Sequence, residues 1–62
     1  MKTVKITSYM SADQALALAQ FLKRVSFTDF KQLAASIDEA YLMQEGALQV
    51  ADALANNGFA PR

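Results

Sequence analysis

The side chains that could do chemistry in this 62-residue chain are carboxylates, hydroxyls and phenols, because it contains no histidine and no cysteine. Those two residues supply the commonest general base and the most reactive nucleophile, so their absence removes the usual routes to catalysis. Asp38 and Glu39 are adjacent, and on a helix adjacent side chains point in different directions. Tyr9 and Tyr41 have no candidate base near them in the sequence. The sequence therefore predicts that the protein is not an enzyme.

Metal and cofactor sites have equally little support in the sequence. A structural zinc site would have to use carboxylates alone, which is unusual, and no glycine-rich phosphate-binding motif is present. We therefore expect no metal, no cofactor and no small-molecule substrate.

The serine hydroxyls are better explained as helix caps than as nucleophiles. Ser11 with Gln14, and Ser36 with Glu39, have the spacing of a capping box, in which the serine accepts from the N–H three residues on. Apolar residues recur at helical spacing after each of these caps. The pattern predicts one helix after Ser11 and a longer one after Ser36.

A shorter helix is expected between these two, starting at Ser26 or Thr28. The last helix should end at Asn57–Gly58, because both residues tolerate the left-handed conformation, and Phe59 should fold back onto Leu54. The apolar arc of this helix covers nearly half its circumference, which is more than one neighbouring helix needs. We predict a core that includes Ile6, Leu18, Phe21, Leu22, Val25, Phe30, Leu33, Tyr41, Leu48, Ala51 and Leu54.

Residues 2–8 carry the one convincing strand pattern, in which polar and apolar side chains alternate from Thr3 to Thr7. A lone strand leaves unpaired N–H and C=O groups, and the simplest partner is the same strand of a second chain. We therefore predict a single domain, residues 1–62, of mostly α (α+β) class: one N-terminal strand followed by three helices. We expect it to form a homodimer through the strand and helices.

Composition and charge limit the remaining possibilities. The N-terminus lacks the apolar region of a signal peptide, and no apolar run reaches about 18–20 residues, so we expect a cytoplasmic protein that is not in a membrane. The formal net charge is zero, but residues 1–31 hold five basic and two acidic residues, whereas residues 32–62 hold one basic and four acidic. This asymmetry fits a nucleic-acid face, or attraction between the two halves across the fold or the dimer.

Three functions are compatible with these features. We favour a small non-enzymatic interaction or regulatory protein that binds a protein partner through Leu42, Gly46, Phe59 and Arg62. The alternative is a ribbon-helix-helix-like DNA-binding regulator whose paired strands enter the major groove. Its DNA-facing residues would be Thr3, Lys5, Thr7, Ser26 and Thr28. A second alternative is a structural homodimer of unknown role. The zero net charge and the short second helix count against DNA binding.

The chain carries three segments, ALAQFLKR at 17–24, DEAYLM at 38–43 and GFAPR at 58–62, over which it resembles a family of short uncharacterised bacterial proteins found on plasmids and other mobile elements. The family has no assigned activity, so the resemblance implies no catalytic residues. It implies a bacterial, mobile-element setting, where short proteins are often regulators or inhibitors of host systems. It would also make residues 58–62 a candidate docking tail.

Overall fold

The computed structural model describes residues 2–61, which form three α-helices joined by short connections. Helix α1 is Ala12–Arg24, helix α2 is Phe27–Leu33 and helix α3 is Ile37–Asn56. The sequence predicts all three helices at these positions. Within this part of the chain, no helix combines the length and apolar character needed to cross a membrane.

The predicted capping box of α1 is confirmed in full. The Gln14 N–H donates to Ser11 Oγ at 3.1 Å, and the Ser11 N–H donates to Gln14 Oε1 at 2.9 Å. At the start of α3, the Glu39 N–H donates to Ser36 Oγ at 3.2 Å as predicted. The Glu39 carboxylate reaches one residue further back than expected, and it accepts from the Ala35 N–H at 2.9 Å. Side chains thus satisfy backbone donors that the first turn of each helix leaves without partners.

The end of α3 confirms the predicted stop signal. Gly58 has φ +93°, a left-handed conformation that glycine adopts without steric cost. The Gly58 N–H donates to the Ala55 carbonyl at 3.0 Å, and the Phe59 N–H donates to the Leu54 carbonyl at 2.9 Å. These two bonds define a Schellman motif. Phe59 packs against the cluster that contains Leu54, as the sequence predicts.

Helices α1 and α2 each pack on α3 and not on each other. Ala15 and Ala19 of α1 meet Leu54 near the C-terminal end of α3, with Leu18 and Leu22 at the edge of this cluster. At the other end of α3, the ring of Phe27 lies 4.7 Å from that of Tyr41. Helices α1 and α2 therefore follow one another along α3.

The predicted core is wrong for five of its large side chains. Among the described residues, the buried apolar side chains are three alanines and one leucine: Ala15, Ala19, Ala40 and Leu54. The five predicted core residues that are exposed instead are Ile6, Phe21, Leu33, Tyr41 and Leu48. The physical reason is that α1 meets α3 through small side chains and that α2 has no buried residue, so the large side chains lie beside these contacts and not inside them.

The predicted N-terminal strand is also wrong, since residues 2–61 contain three helices and no strand. Residues 2–10, here called the N-terminal segment, form neither helix nor strand and are exposed throughout. Alternation shows which side chains a sheet would bury, but a strand forms only when another strand satisfies its N–H and C=O groups. The described residues supply no second strand, so the alternating pattern of residues 2–8 does not become a strand.

Alanine substitution of the two glycines should change the free energy of unfolding in opposite directions. Gly58→Ala forces a Cβ into a left-handed residue and should lower the free energy of unfolding by about 1–2 kcal/mol. Gly46 lies inside α3, where an added Cβ meets nothing within 4 Å. Gly46→Ala should therefore raise the free energy of unfolding by up to about 1 kcal/mol. Urea unfolding followed by circular dichroism at one protein concentration measures both, and changes of equal sign would contradict the assignment.

Candidate protein-interaction surface

An unusually large surface is the main feature of this structure. The accessible area is 5317 Å², whereas a compact monomer of 6.8 kDa should expose only about 3,950 Å². The radius of gyration is 12.5 Å, against about 10.6 Å for a compact chain of this length. Much of the exposed surface is apolar, and it falls into separate areas on different elements. Large exposed apolar areas on a small protein commonly mark interaction sites.

One open groove, here called the N-terminal groove, lies between the N-terminal segment and α3. It has a volume of about 760 Å³. Val4, Ile6 and Met10 line one wall, and Val50 and Ala53 line the other. Its polar lining residues are Thr7, Ser8, Gln49 and Asn57. The groove is therefore mainly aliphatic, with polar groups that could orient a bound segment.

Gly46 gives this groove a place where another backbone can come close. It lines the groove, and an added Cβ there would meet only open space. Ala53 follows two helical turns later, on the same side of α3. The two small residues leave a shallow path along α3 between the larger side chains.

The four residues predicted to face a partner occupy different places. Leu42 is about half exposed on α3, and Gly46 lies in the N-terminal groove. Phe59 also lines this groove, although part of its ring packs on the alanine and leucine core. Arg62 lies outside the described residues. Two of the four predicted residues are thus brought together at one site.

The residues predicted to face DNA are divided between the two ends of α1. Thr3, Lys5 and Thr7 are exposed on the N-terminal segment, before α1 begins. Ser26 and Thr28 follow the other end of this 13-residue helix, which is roughly 20 Å long. These positions therefore do not form one continuous face.

The smaller groove, here called the α1–α2 groove, has a volume of about 570 Å³. Its apolar lining residues are Ala17, Phe21, Val25, Phe30 and Leu33, and its charged ones are Arg24 and Asp29. Phe21 is 58% and Leu33 82% exposed. The Arg24 guanidinium donates to Gln20 Oε1 at 2.9 Å, which leaves other donors of this five-donor group available.

Asp29 holds the first turn of α2 in place. Its Oδ2 accepts from the Ser26 N–H at 2.8 Å and from Ser26 Oγ at 3.0 Å. These hydrogen bonds, the backbone one first, lower the pKa of Asp29 below its ordinary value of 3.8.

Sequence reasoning missed most of the N-terminal groove. The sequence predicts a strand at residues 2–8 and assigns no partner-facing role to Val4, Met10 or Val50. The available signal was the apolar arc of the last helix, which is wider than one neighbouring helix needs. Which exposed apolar residues share one groove depends on where the N-terminal segment lies, and the sequence does not specify this.

These features define a small helical domain with open apolar grooves, and residues 2–61 contain no group of three or more acidic, histidine or cysteine side chains placed to hold a metal ion. The chain belongs to the family of unknown function DUF7706, whose model matches residues 1–62. No curated protein and no solved structure matches the chain. Because the family description states no function, the function has to be inferred from the surface.

The lowered pKa of Asp29 predicts a specific loss of stability in acid. When a carboxylate has a lower pKa in the folded than in the unfolded state, it stabilises the folded state at pH values above the unfolded-state pKa. This contribution disappears as the pH falls through the folded-state pKa. Unfolding free energy should therefore fall more steeply below about pH 4 in the wild type than in Asp29→Asn. Carboxyl titration by nuclear magnetic resonance should place the Asp29 pKa below 3.8.

Ser26→Ala is the matched control for this titration, because it removes the hydroxyl donor and keeps the backbone donor. Most of the lowering should survive, since the backbone hydrogen bond is the larger cause. An Asp29 pKa at or above 3.8 in the wild type would show that the Ser26–Asp29 contact does not form in solution.

Proposed function

We propose that this chain is a small non-enzymatic regulatory protein that binds a protein partner in the N-terminal groove. The observation that carries the proposal is the groove of about 760 Å³ with Val4, Ile6, Val50 and Ala53 in its walls. Burial of a valine or isoleucine side chain stabilises a protein or complex by roughly 1.5–3 kcal/mol, and this free energy is not gained while the side chain stays in water. A partner that covers them recovers this free energy on binding.

The groove fits an amphipathic helix of the partner. Such a helix presents apolar side chains at every third or fourth position, which matches a long apolar groove with one helical wall. Close approach of two helices requires small side chains at the point of contact, and Gly46 and Ala53 provide them on α3. Gln49 and Asn57, at the same site, supply hydrogen-bonding groups that can fix the direction of the partner.

The proposal includes a bacterial, cytoplasmic setting on a plasmid or other mobile element. It rests on the resemblance of residues 17–24, 38–43 and 58–62 to short bacterial proteins of that setting. The absence of cysteine fits a reducing compartment.

DNA binding through a paired ribbon is not part of this proposal. That mode needs a strand, and the described residues contain none. Duplex DNA is nevertheless the alternative ligand that a test of function has to include.

Filling the groove should abolish partner binding without unfolding the chain. Gly46→Leu places a large side chain in open space and replaces glycine by a better helix former. Proteins retained from a bacterial extract by the immobilised wild type are identified, purified and titrated by calorimetry. We expect Gly46→Leu to weaken binding at least about tenfold, which corresponds to about 1.4 kcal/mol.

Glu45→Leu is the matched control, because it adds the same side chain at the neighbouring exposed position, which does not line the groove. It should leave the affinity unchanged. If every protein retained by the wild type is retained equally by Gly46→Leu, the proposed binding site is wrong. If the wild type instead binds duplex DNA with a steep salt dependence that Lys5→Ala removes, the DNA-binding alternative replaces the proposal.

A further inference from the structure

The residues that end α3 include an asparagine followed by a glycine, Asn57 and Gly58, and both are exposed. An asparagine side chain can react with the backbone nitrogen of the next residue, and this happens most readily when that residue is glycine. Glycine has no Cβ to obstruct the approach of its nitrogen, and its backbone turns more freely than that of other residues. This pair is therefore the place where an uncatalysed change of the backbone is chemically easiest.

The reaction needs only water. The backbone nitrogen of Gly58 forms a bond to Cγ of Asn57 while the bond from Cγ to Nδ2 breaks. Nδ2 leaves as ammonia and takes the proton that the Gly58 nitrogen loses. Water then opens the resulting cyclic imide at either carbonyl, which gives an aspartate or an isoaspartyl link. One water is consumed and one ammonia is released, and no oxidant or cofactor takes part.

In the closed structure, hydrogen bonds direct the two reacting groups toward different carbonyls of α3. The Gly58 N–H donates to the Ala55 carbonyl at 3.0 Å. The Asn57 Nδ2 donates to the Ala53 carbonyl at 2.8 Å. Both bonds have to break before the Gly58 nitrogen can reach Cγ of Asn57. The side chain therefore reacts only from conformations in which the last turn of α3 is open.

Phe59 keeps this turn closed. Its N–H donates to the Leu54 carbonyl at 2.9 Å, and its ring packs on the cluster of Leu54, Ala15 and Ala19. Residues 55–58, which lie between the two ends of this contact, are all exposed. Exposed helix ends open more often than buried segments. The ring of Phe59 is thus the apolar contact that opposes opening of the turn.

The product cannot close the turn in the same way. An aspartate side chain at position 57 has only acceptor oxygens, so the donor to the Ala53 carbonyl is replaced by a repelling oxygen. The new negative charge also lies at the carbonyl end of α3, whose last turn carries no basic residue. An isoaspartyl link lengthens the backbone and shifts Gly58 and Phe59 out of register with their acceptors. Either product therefore favours the open turn.

We propose that Asn57 is a site of spontaneous deamidation, gated by the last turn of α3, and that the reaction releases Phe59 from the alanine and leucine cluster. Opening of the turn exposes the reacting pair, and conversion of the amide to a carboxylate then prevents the turn from closing again. Because Asn57 and Phe59 both line the N-terminal groove, the reaction also alters one end of that groove. It needs no partner in the groove.

Mass spectrometry of the ageing protein tests both the reaction and its gate. The wild type is held in mildly alkaline buffer made with water enriched in heavy oxygen, and its peptides are mapped at intervals. Heavy oxygen should enter at Asn57 faster than at Asn56, which is also exposed but is not followed by glycine. Phe59→Ala should speed the reaction at Asn57 at least about threefold, and urea at least about tenfold, because both open the turn.

Phe21→Ala is the matched control for Phe59→Ala, because it removes the same ring from an exposed position on another helix. It should leave the native rate unchanged. In urea, where no turn remains to open, the wild type and Phe59→Ala should react equally fast. A wild type that reacts as fast in the native state as in urea would overturn the gate. So would a Phe59→Ala variant that matches the wild type under native conditions, or a native wild type that takes up no heavy oxygen at Asn57.

Asn57→Asp tests the structural effect of the product. Protection of the Gly58 and Phe59 amides from hydrogen exchange should fall at least about tenfold, since a hydrogen bond is replaced by repulsion. Asn56→Asp adds the same charge one residue earlier and keeps the bond to Ala53, so protection should fall at most about fivefold through the helix dipole. Equal losses in both variants, or none in Asn57→Asp, would overturn the release of Phe59. Partner binding enters none of these measurements, so the function proposed above is judged separately.

Discussion

Contact of α1 with α3 through small side chains is the constraint on which the rest of this structure depends. Ala15 and Ala19 let α1 approach α3 closely, and Ala40 lies fully buried on α3. Alanine has little surface to remove from water, so these contacts set the helix positions while contributing little hydrophobic free energy. The larger apolar side chains lie beside these contacts, and several of them, such as Phe21 and Val50, remain exposed and line the grooves.

The local features of the fold could be predicted from the sequence because short-range hydrogen bonds determine them. The capping box at Ser11 and the left-handed stop at Gly58 each involve residues within a few positions of one another. The starts of α1 and α3 and the end of α3 follow from such signals, whereas the sequence leaves the start of α2 open between Ser26 and Thr28. The Glu39 carboxylate accepts from the Ala35 N–H and not from the Ser36 N–H, a difference of one residue that spacing alone does not determine.

The features that depend on distant parts of the chain could not be predicted in the same way. The alternation at residues 2–8 favours a strand only if a partner strand exists. Likewise, Phe21 and Leu33 have the spacing of core residues, but whether a neighbour covers them depends on how the helices sit on α3. Gly46 and Phe59, two of the residues predicted to face a partner, line the N-terminal groove, whereas its aliphatic walls depend on where the N-terminal segment lies.

The thin alanine core also has a consequence for the time this chain survives in a cell. Opening of α1 from α3 exposes few additional apolar atoms, so the free energy that opposes local opening is small. Proteases cleave chains in such transiently opened states, and any molecule that covers the exposed apolar side chains reduces the population of those states. The abundance of the protein would then follow the supply of its binding partners, because free copies are degraded while bound copies persist.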